Sequence, residues 1–211
     1  MKKTYLGIFF LSLMFVMACS HSVTMRPNLD VTANIANQLD FNVGLYIPPE
    51  VKQLKVSDQA DWANKYSFDI GVSVSSIIYR ALSRVFKYVE LTESYPTEQM
   101  IKDRSFDFVA TARITEANVG LNVQEGFLSN DAAGNTQITA SLAFFDPKLI
   151  QFTSVQATGT GMGDEGIDLL SSGKSEFTVS VENAIRNLGN SIVQQVYGNY
   201  DIRKKADSKN K

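Results

Sequence analysis

Residues 41–49, FNVGLYIPP, and residues 68–86, FDIGVSVSSIIYRALSRVF, decide the architecture of this chain. In the first, Phe41, Val43, Leu45 and Ile47 occupy alternate positions, the period of a strand with one buried face, and Pro48-Pro49 ends the ladder. In the second, Ile70, Val74, Ile77, Ile78, Ala81, Leu82 and Val85 recur at steps of three and four, which lays one apolar stripe along a helix. Ser73, Arg80, Ser83, Arg84 and Lys87 fill the other face. The β-branched residues of its first half lower helix propensity slightly, so packing holds this helix more than propensity does. Residues 88–91 read as a short strand after it, and the right-handed crossover rule makes the two strands parallel neighbours.

Toward the C-terminus, Ser94-Tyr95-Pro96 predicts a turn, with a brief helix over residues 97–102. Three antiparallel strands follow. Phe106, Phe108, Ala110, Ala112 and Ile114 alternate in the first, Ile138, Ala140, Leu142 and Phe144 in the second, and residues 151–160 form the third. Asp146-Pro147-Lys148 turns the chain between the last two, and a longer link, residues 119–134, joins the first two through the turn-rich tip Asn130-Asp131-Ala132-Ala133-Gly134. Phe177, Val181, Ala184, Ile185, Leu188, Ile192 and Val196 mark a second amphipathic helix, with Ser175 as its N-cap and Gly198 at its stop. Residues 57–66 read as a loop or a short helical turn. The expected fold is an α/β (α+β) sandwich, a mixed sheet of about five strands with two main amphipathic helices on one face.

Toward the N-terminus the chain changes character. Lys2 and Lys3 precede an apolar run of 14 residues, 5–18, shorter than the roughly 20 residues a membrane-spanning helix needs, so a secretory signal fits better than a span. Val16-Met17-Ala18-Cys19 closes that run and resembles the lipobox of bacterial lipoproteins. The resemblance implies that the Cys19 thiol is diacylated, that the peptide is cut before it, and that the new amino group is acylated too. Ser20 stands where the retention residue for the inner membrane is aspartate in that family, which implies the outer membrane, with the domain facing the periplasm. The expected organisation is a signal peptide at 1–18, a lipidated N-terminus and polar tether at 19–40, one α/β domain at 41–200, and a basic C-terminal tail at 201–211. As a free coil, some 20 tether residues span roughly 25 Å. The tail, with Arg203, Lys204, Lys205, Lys209 and Lys211, reads either as solvated and frayed or as a contact for an acidic surface.

Composition excludes several chemistries. The only cysteine is Cys19, so the mature chain has no internal disulfide and no thiolate metal site. The only histidine is His21, beside the anchor, which excludes a Ser-His-Asp triad, a Cys-His pair and histidine-rich zinc sites. Without residues 1–18 the 211-residue chain keeps 193 residues, and without Lys2 and Lys3 it keeps 18 basic against 22 acidic side chains, a net charge of −4. Nucleic acid is not the expected partner. No catalytic residue, metal or cofactor is assigned.

Gly159-Thr160-Gly161-Met162-Gly163 has the look of a phosphate loop, but its last glycine is displaced and no Walker lysine follows, so it reads as a flexible strand exit. Asp164, Glu165 and Asp168 lack the spacing of an EF-hand and read as a solvated acidic loop. Nothing in the sequence fixes Asp103 and Asp107 at catalytic range. Leu121, Val123, Phe127 and Leu128, on the long link, either fold back onto the core or offer a partner surface. Trp62, Tyr66 and Tyr46 either pack in the core or line a groove near Pro48-Pro49.

FNVGLYIP at 41–48, GVSVSSIIYRALSRVF at 71–86, SLAFFDPKLIQFTSVQATGTGMG at 141–163 and VENAIRNLGNSIV at 181–193 resemble outer-membrane lipoproteins with a small α/β domain, the YajG-type lipoproteins and the periplasmic domain of CsgG-type curli-secretion lipoproteins. A CsgG-type pore would need membrane-crossing hairpins, for which the 119–134 link reads as too short and too polar at its tip. The expected function is a non-enzymatic binding or assembly module of the cell envelope, with an envelope protein as partner. A carboxylate-dependent enzyme on envelope glycan and a carrier of an apolar ligand are the alternatives.

Overall fold

The computed structural model describes residues 19–24, 30–59, 64–125, 130–163 and 174–209. The alternation at residues 41–47 builds β2 (Leu39–Tyr46), which buries Phe41, Val43 and Leu45 and gives way to the single turn α1 (Pro49–Lys52). Helix α2 (Gly71–Val85) buries the stripe Val74, Ile77, Ile78, Ala81, Leu82 and Val85 and runs straight into β5 (Phe86–Thr92). Strand β5 lies parallel to β2, with Asn42 opposite Tyr88 and Leu45 opposite Leu91. After α3 (Glu98–Asp103), capped by the Thr97 hydroxyl that accepts from the Met100 amide at 3.2 Å, come β6 (Phe108–Glu125), β7 (Asn130–Phe145) and β8 (Gln151–Met162). They complete a five-stranded mixed sheet in the order β5-β2-β6-β7-β8.

Helix α4 (Lys174–Tyr197) packs beside α2 and across β7 and β8, so one face of the sheet carries both main helices and the main core, as the sequence pattern requires. Residues of opposite parity on β6 and β7 serve the other face, where Val109 and Phe145 meet Ile101 and Phe106 under α3. Five phenylalanines form a chain of edge contacts through the sandwich; Phe108 lies 5.0 Å from Phe41, 5.4 Å from Phe86, 6.0 Å from Phe144 and 5.7 Å from Phe152, centroid to centroid. Edge-to-face packing of this kind adds about 0.5–1.5 kcal/mol per pair beyond area burial.

The structure departs from the sequence pattern in several places. The stretch 57–66, expected as a loop or helical turn, overlaps β3 (Lys55–Gln59) and β4 (Asn64–Asp69), an antiparallel pair. Their polar composition hid them; among the residues of the pair whose side chains are described, Val56 and Phe68 carry it into the main core. Within residues 19–40, expected as a lipidated N-terminus and polar tether, lies the strand β1 (Cys19–Thr24), parallel to β4 in a separate sheet of order β1-β4-β3.

Further along that segment, the Asn190 side-chain oxygen accepts from the amides of Thr32 and Ala33, both at 2.9 Å, and Val31 and Ile35 pack on the core. The basic tail is not frayed. It forms α5 (Tyr200–Lys209), which buries Ile202 and Ala206 and ties Lys209 to Asp107 at 2.7 Å. Its Lys205 and Lys209 ammonium groups lie over the rings of Phe152 and Phe41, at 4.4 and 5.3 Å. Ser175 lies inside α4 rather than at its cap.

The 119–134 link is largely strand. Ladder pairing between β6 and β7 continues from Val119–Thr136 through Leu121–Gly134 to Glu125–Asn130, so Asn130-Asp131-Ala132-Ala133-Gly134 belongs to β7 and not to a turn tip. The glycine and asparagine residues that read as a loop are tolerated there within a two-stranded ladder.

Candidate functional site

Cys19 opens β1 and faces Asn64 in the parallel ladder with β4. Strand β4 is held on its other side by β3 and runs directly into α2, where the amides of Ile70 and Gly71 both donate to the Leu54 carbonyl, at 3.1 and 3.0 Å. Buried Phe68 welds the same strand to the main core. The expected lipidation residue is therefore joined to the folded domain through a sheet.

Of the expected partner surface, Leu121 and Val123 lie on β6 opposite Gly134 and Ala132, while Phe127 and Leu128 fall outside the described residues. Strand β8 pairs with β7 only between Asn135 and Phe145, and β2 pairs with β6 only between Phe108 and Thr111. Residues 121–125 and 130–134 thus run on as a two-stranded ribbon past the end of the β8 ladder. Met162, the last residue of β8, stands 71% exposed at its base.

From Ala112 onward the β2-facing edge of β6 has no ladder partner among the described residues. It looks across a cleft of about 780 Å³ at Lys55, Val56 and Ser57 of β3, with Arg113 and Glu116 on the β6 side. A second cleft, of about 470 Å³, is mainly apolar and lies between α2 and the end of β5; Val72, Tyr79 and Leu91 line it, with Lys52 and Arg80 at hand.

The other candidates resolve into structural roles. Gly159 and Gly161 lie within β8 on its buried face, where a Cβ on Gly159 would meet the Ala184 carbonyl oxygen at 2.1 Å and one on Gly161 the Ser180 carbonyl oxygen at 1.9 Å. The glycine repeat lets α4 lie directly on the strand, so it is a packing device and not a flexible exit. Asp107 accepts from the Asn42 amide at 2.7 Å and pairs with Lys209; Asp103 accepts from Gln99 Nε2 at 2.7 Å. Both carboxylates are thereby occupied in holding β2 to α5 and in bracing α3. Asp164, Glu165, Asp168 and Trp62 lie outside the described residues, and Tyr46 packs edge-on against Tyr95 at 5.5 Å. Among the described residues no group of three or more His, Cys, Asp or Glu side chains could hold a metal ion, and no helix is long and apolar enough to cross a membrane.

Fold and surfaces together define an α/β sandwich built on a five-stranded mixed sheet with a small three-stranded sheet attached. The same fold is found in the protein XCC0632 of Xanthomonas campestris, of the DUF330 family, with a TM-score of 0.55 at 10% identity over 88% of this chain and 99% of that one. A minor lipoprotein of Acinetobacter baumannii matches with a TM-score of 0.42 at 10% identity over 76% of this chain and 93% of its own, and the lipoprotein GNA1162 of Neisseria meningitidis with 0.31 at 12% over 64% and 90%. No family model matches the sequence, and no curated protein is similar to it.

Proposed function

We propose that this chain is a lipid-anchored lipoprotein of the outer membrane, facing the periplasm, that works without catalysis as a binding or assembly module for an envelope protein. The observation that carries the reading is the lipobox-like Val16-Met17-Ala18-Cys19 behind Lys2, Lys3 and a largely apolar, uncharged run. One acyl chain gives only marginal membrane binding at about 0.8 kcal/mol per buried methylene, whereas three on one residue make a durable anchor. The structural occupation of Asp103 and Asp107 supports a non-enzymatic role, since it removes the one carboxylate pair among the described residues that the sequence had offered. The β6–β7 ribbon, with Leu121 and Val123 beyond the reach of β8, is the surface we assign to the partner.

The test is mass spectrometry of the N-terminal peptide together with flotation of native protein and a Cys19→Ala form on outer-membrane vesicles. Three acyl groups on Cys19, with flotation lost in the mutant, is the expected result. A native protein that keeps residues 1–18, or that stays soluble, would overturn the assignment.

A further inference from the structure

The ladder of β1 fixes where the anchor sits on the domain. Cys19 is opposite Asn64, and each later residue of β1 keeps step as far as Thr24 opposite Asp69; on the far side of β4, Lys65 is opposite Gln59 and Asp69 opposite Lys55. One end of the three-stranded sheet therefore carries Cys19, Asn64 and Gln59, and the other Thr24, Asp69 and Lys55. Five residue steps at roughly 3.3 Å separate these ends by about 17 Å.

We propose that the Cys19 end of this sheet lies against the lipid surface itself, so that the domain rests end-on upon the bilayer instead of standing off on a tether. The inference rests on the reading of Cys19 as the acylated residue. Acyl chains inserted in the hydrocarbon hold the Cys19 backbone at the depth of the headgroups, a layer about 5–7 Å thick on each side. A residue inside a ladder has no slack to give back. Asn64 stands one strand spacing away, about 4.8 Å, so β4 begins at nearly the same depth. Because β4 continues into α2 and buries Phe68 in the core, that orientation is passed to the whole domain. A free coil of 20 residues would instead have left a gap of roughly 25 Å.

The sequence contains its own reporter. Trp62 is the only tryptophan. It precedes Asn64, the ladder partner of Cys19, by two residues in the sequence. An indole at the headgroup layer is in the environment that tryptophan favours.

The experiment uses acylated full-length protein in vesicles of phosphatidylcholine brominated near the headgroup end of its acyl chains, with unbrominated vesicles for comparison. Trp62 emission should shift to shorter wavelength on reconstitution and be quenched by the brominated lipid. A Trp62→Phe, Lys55→Trp double variant carries its single indole at the opposite end of the sheet, on an exposed position, and should be left unquenched. Circular dichroism confirms that this variant is folded, and the native measurement stands without it. Protein that floats with the vesicles while Trp62 emission is neither shifted nor quenched would overturn end-on contact and leave the anchor intact. Equal quenching of the two indoles would overturn it as well, because the domain would then lie on its side. Failure to float, with no acyl groups on Cys19, would overturn the anchor reading itself.

Discussion

Asn190 and Gly161 show how much of this fold depends on single side chains. Asn190 uses one oxygen to satisfy two consecutive backbone amides, those of Thr32 and Ala33, in a segment with no ladder of its own at that point. Asn190→Ala removes both bonds and leaves the part-buried Ala33 amide unpaired, at a cost of about 1–3 kcal/mol. Urea unfolding reads the loss, and amide hydrogen exchange should accelerate at Thr32 and Ala33 before it does in β6. At Gly161 the argument is steric. A Cβ would sit 1.9 Å from the Ser180 carbonyl oxygen on rigid helical backbone, so Gly161→Ala must push α4 off β8, which costs at least the 1–3 kcal/mol or so typical of overpacked cores. Gly120 makes the control, since a Cβ there meets nothing within 4 Å, and Gly120→Ala should change stability by less than about 0.5 kcal/mol. Equal effects at the two glycines would show that α4 does not rest on β8 as described.

Among the elements, α5 separates burial from charge most cleanly. Ile202 is fully buried while Lys209 pairs with Asp107 in an ion pair that is partly solvated on both sides. Ile202→Ala should cost about 2–5 kcal/mol and Lys209→Ala under about 1 kcal/mol, the second shrinking further at high salt. Thermal unfolding of both variants at low and high ionic strength checks the order, and a larger loss for Lys209→Ala would sink the argument. This helix was not legible in the sequence, because five basic residues in the last nine concealed two apolar ones, Ile202 and Ala206, one turn apart. The strong signals were those with a full apolar face. Period two in β2 and period three to four in α2 survive intact, since each of those stripes is buried along its length. Strands β3 and β4, KVSDQ and NKYSFD, are mostly polar in sequence and gave no full apolar stripe to read. The glycine repeat of β8 and the Asn130–Gly134 run of β7 misled in one way: residues that favour turns were placed in strands by tertiary packing or cross-strand pairing. Of the candidate site, Cys19 was readable as a motif, but its place in a ladder was not, because β1 pairs with a strand forty-five residues away.

The molecule as a whole divides between a packed sandwich and a ribbon, residues 121–125 with 130–134, that runs on past the β8 ladder. Among the described residues of the meander, main-core contacts come from β6 up to Val119, β7 from Ile138 and β8, and the ladder with β8 is complete at Asn135. Gly120 and Asn135 are register partners, so the ribbon is closable at that pair by a two-residue turn of the type antiparallel strands favour. Replacing residues 121–134 by Asn-Gly should leave the melting temperature within about 4 °C of the native value, equivalent to about 1 kcal/mol or so in a domain of this size. The same replacement removes Leu121, Val123, Phe127 and Leu128 together. If those residues form the partner surface, crosslinking in intact cells should recover the partner with the native chain and not with the shortened one, although both are acylated and both float. A Cys19→Ala chain with the ribbon intact separates address from contact: it should keep its affinity for the purified partner in solution and lose the crosslink only in cells. A shortened chain that still captures the same partner would move the interaction off the ribbon and onto the unpaired edge of β6 or the apolar cleft beside α2, the other open surfaces described on this fold.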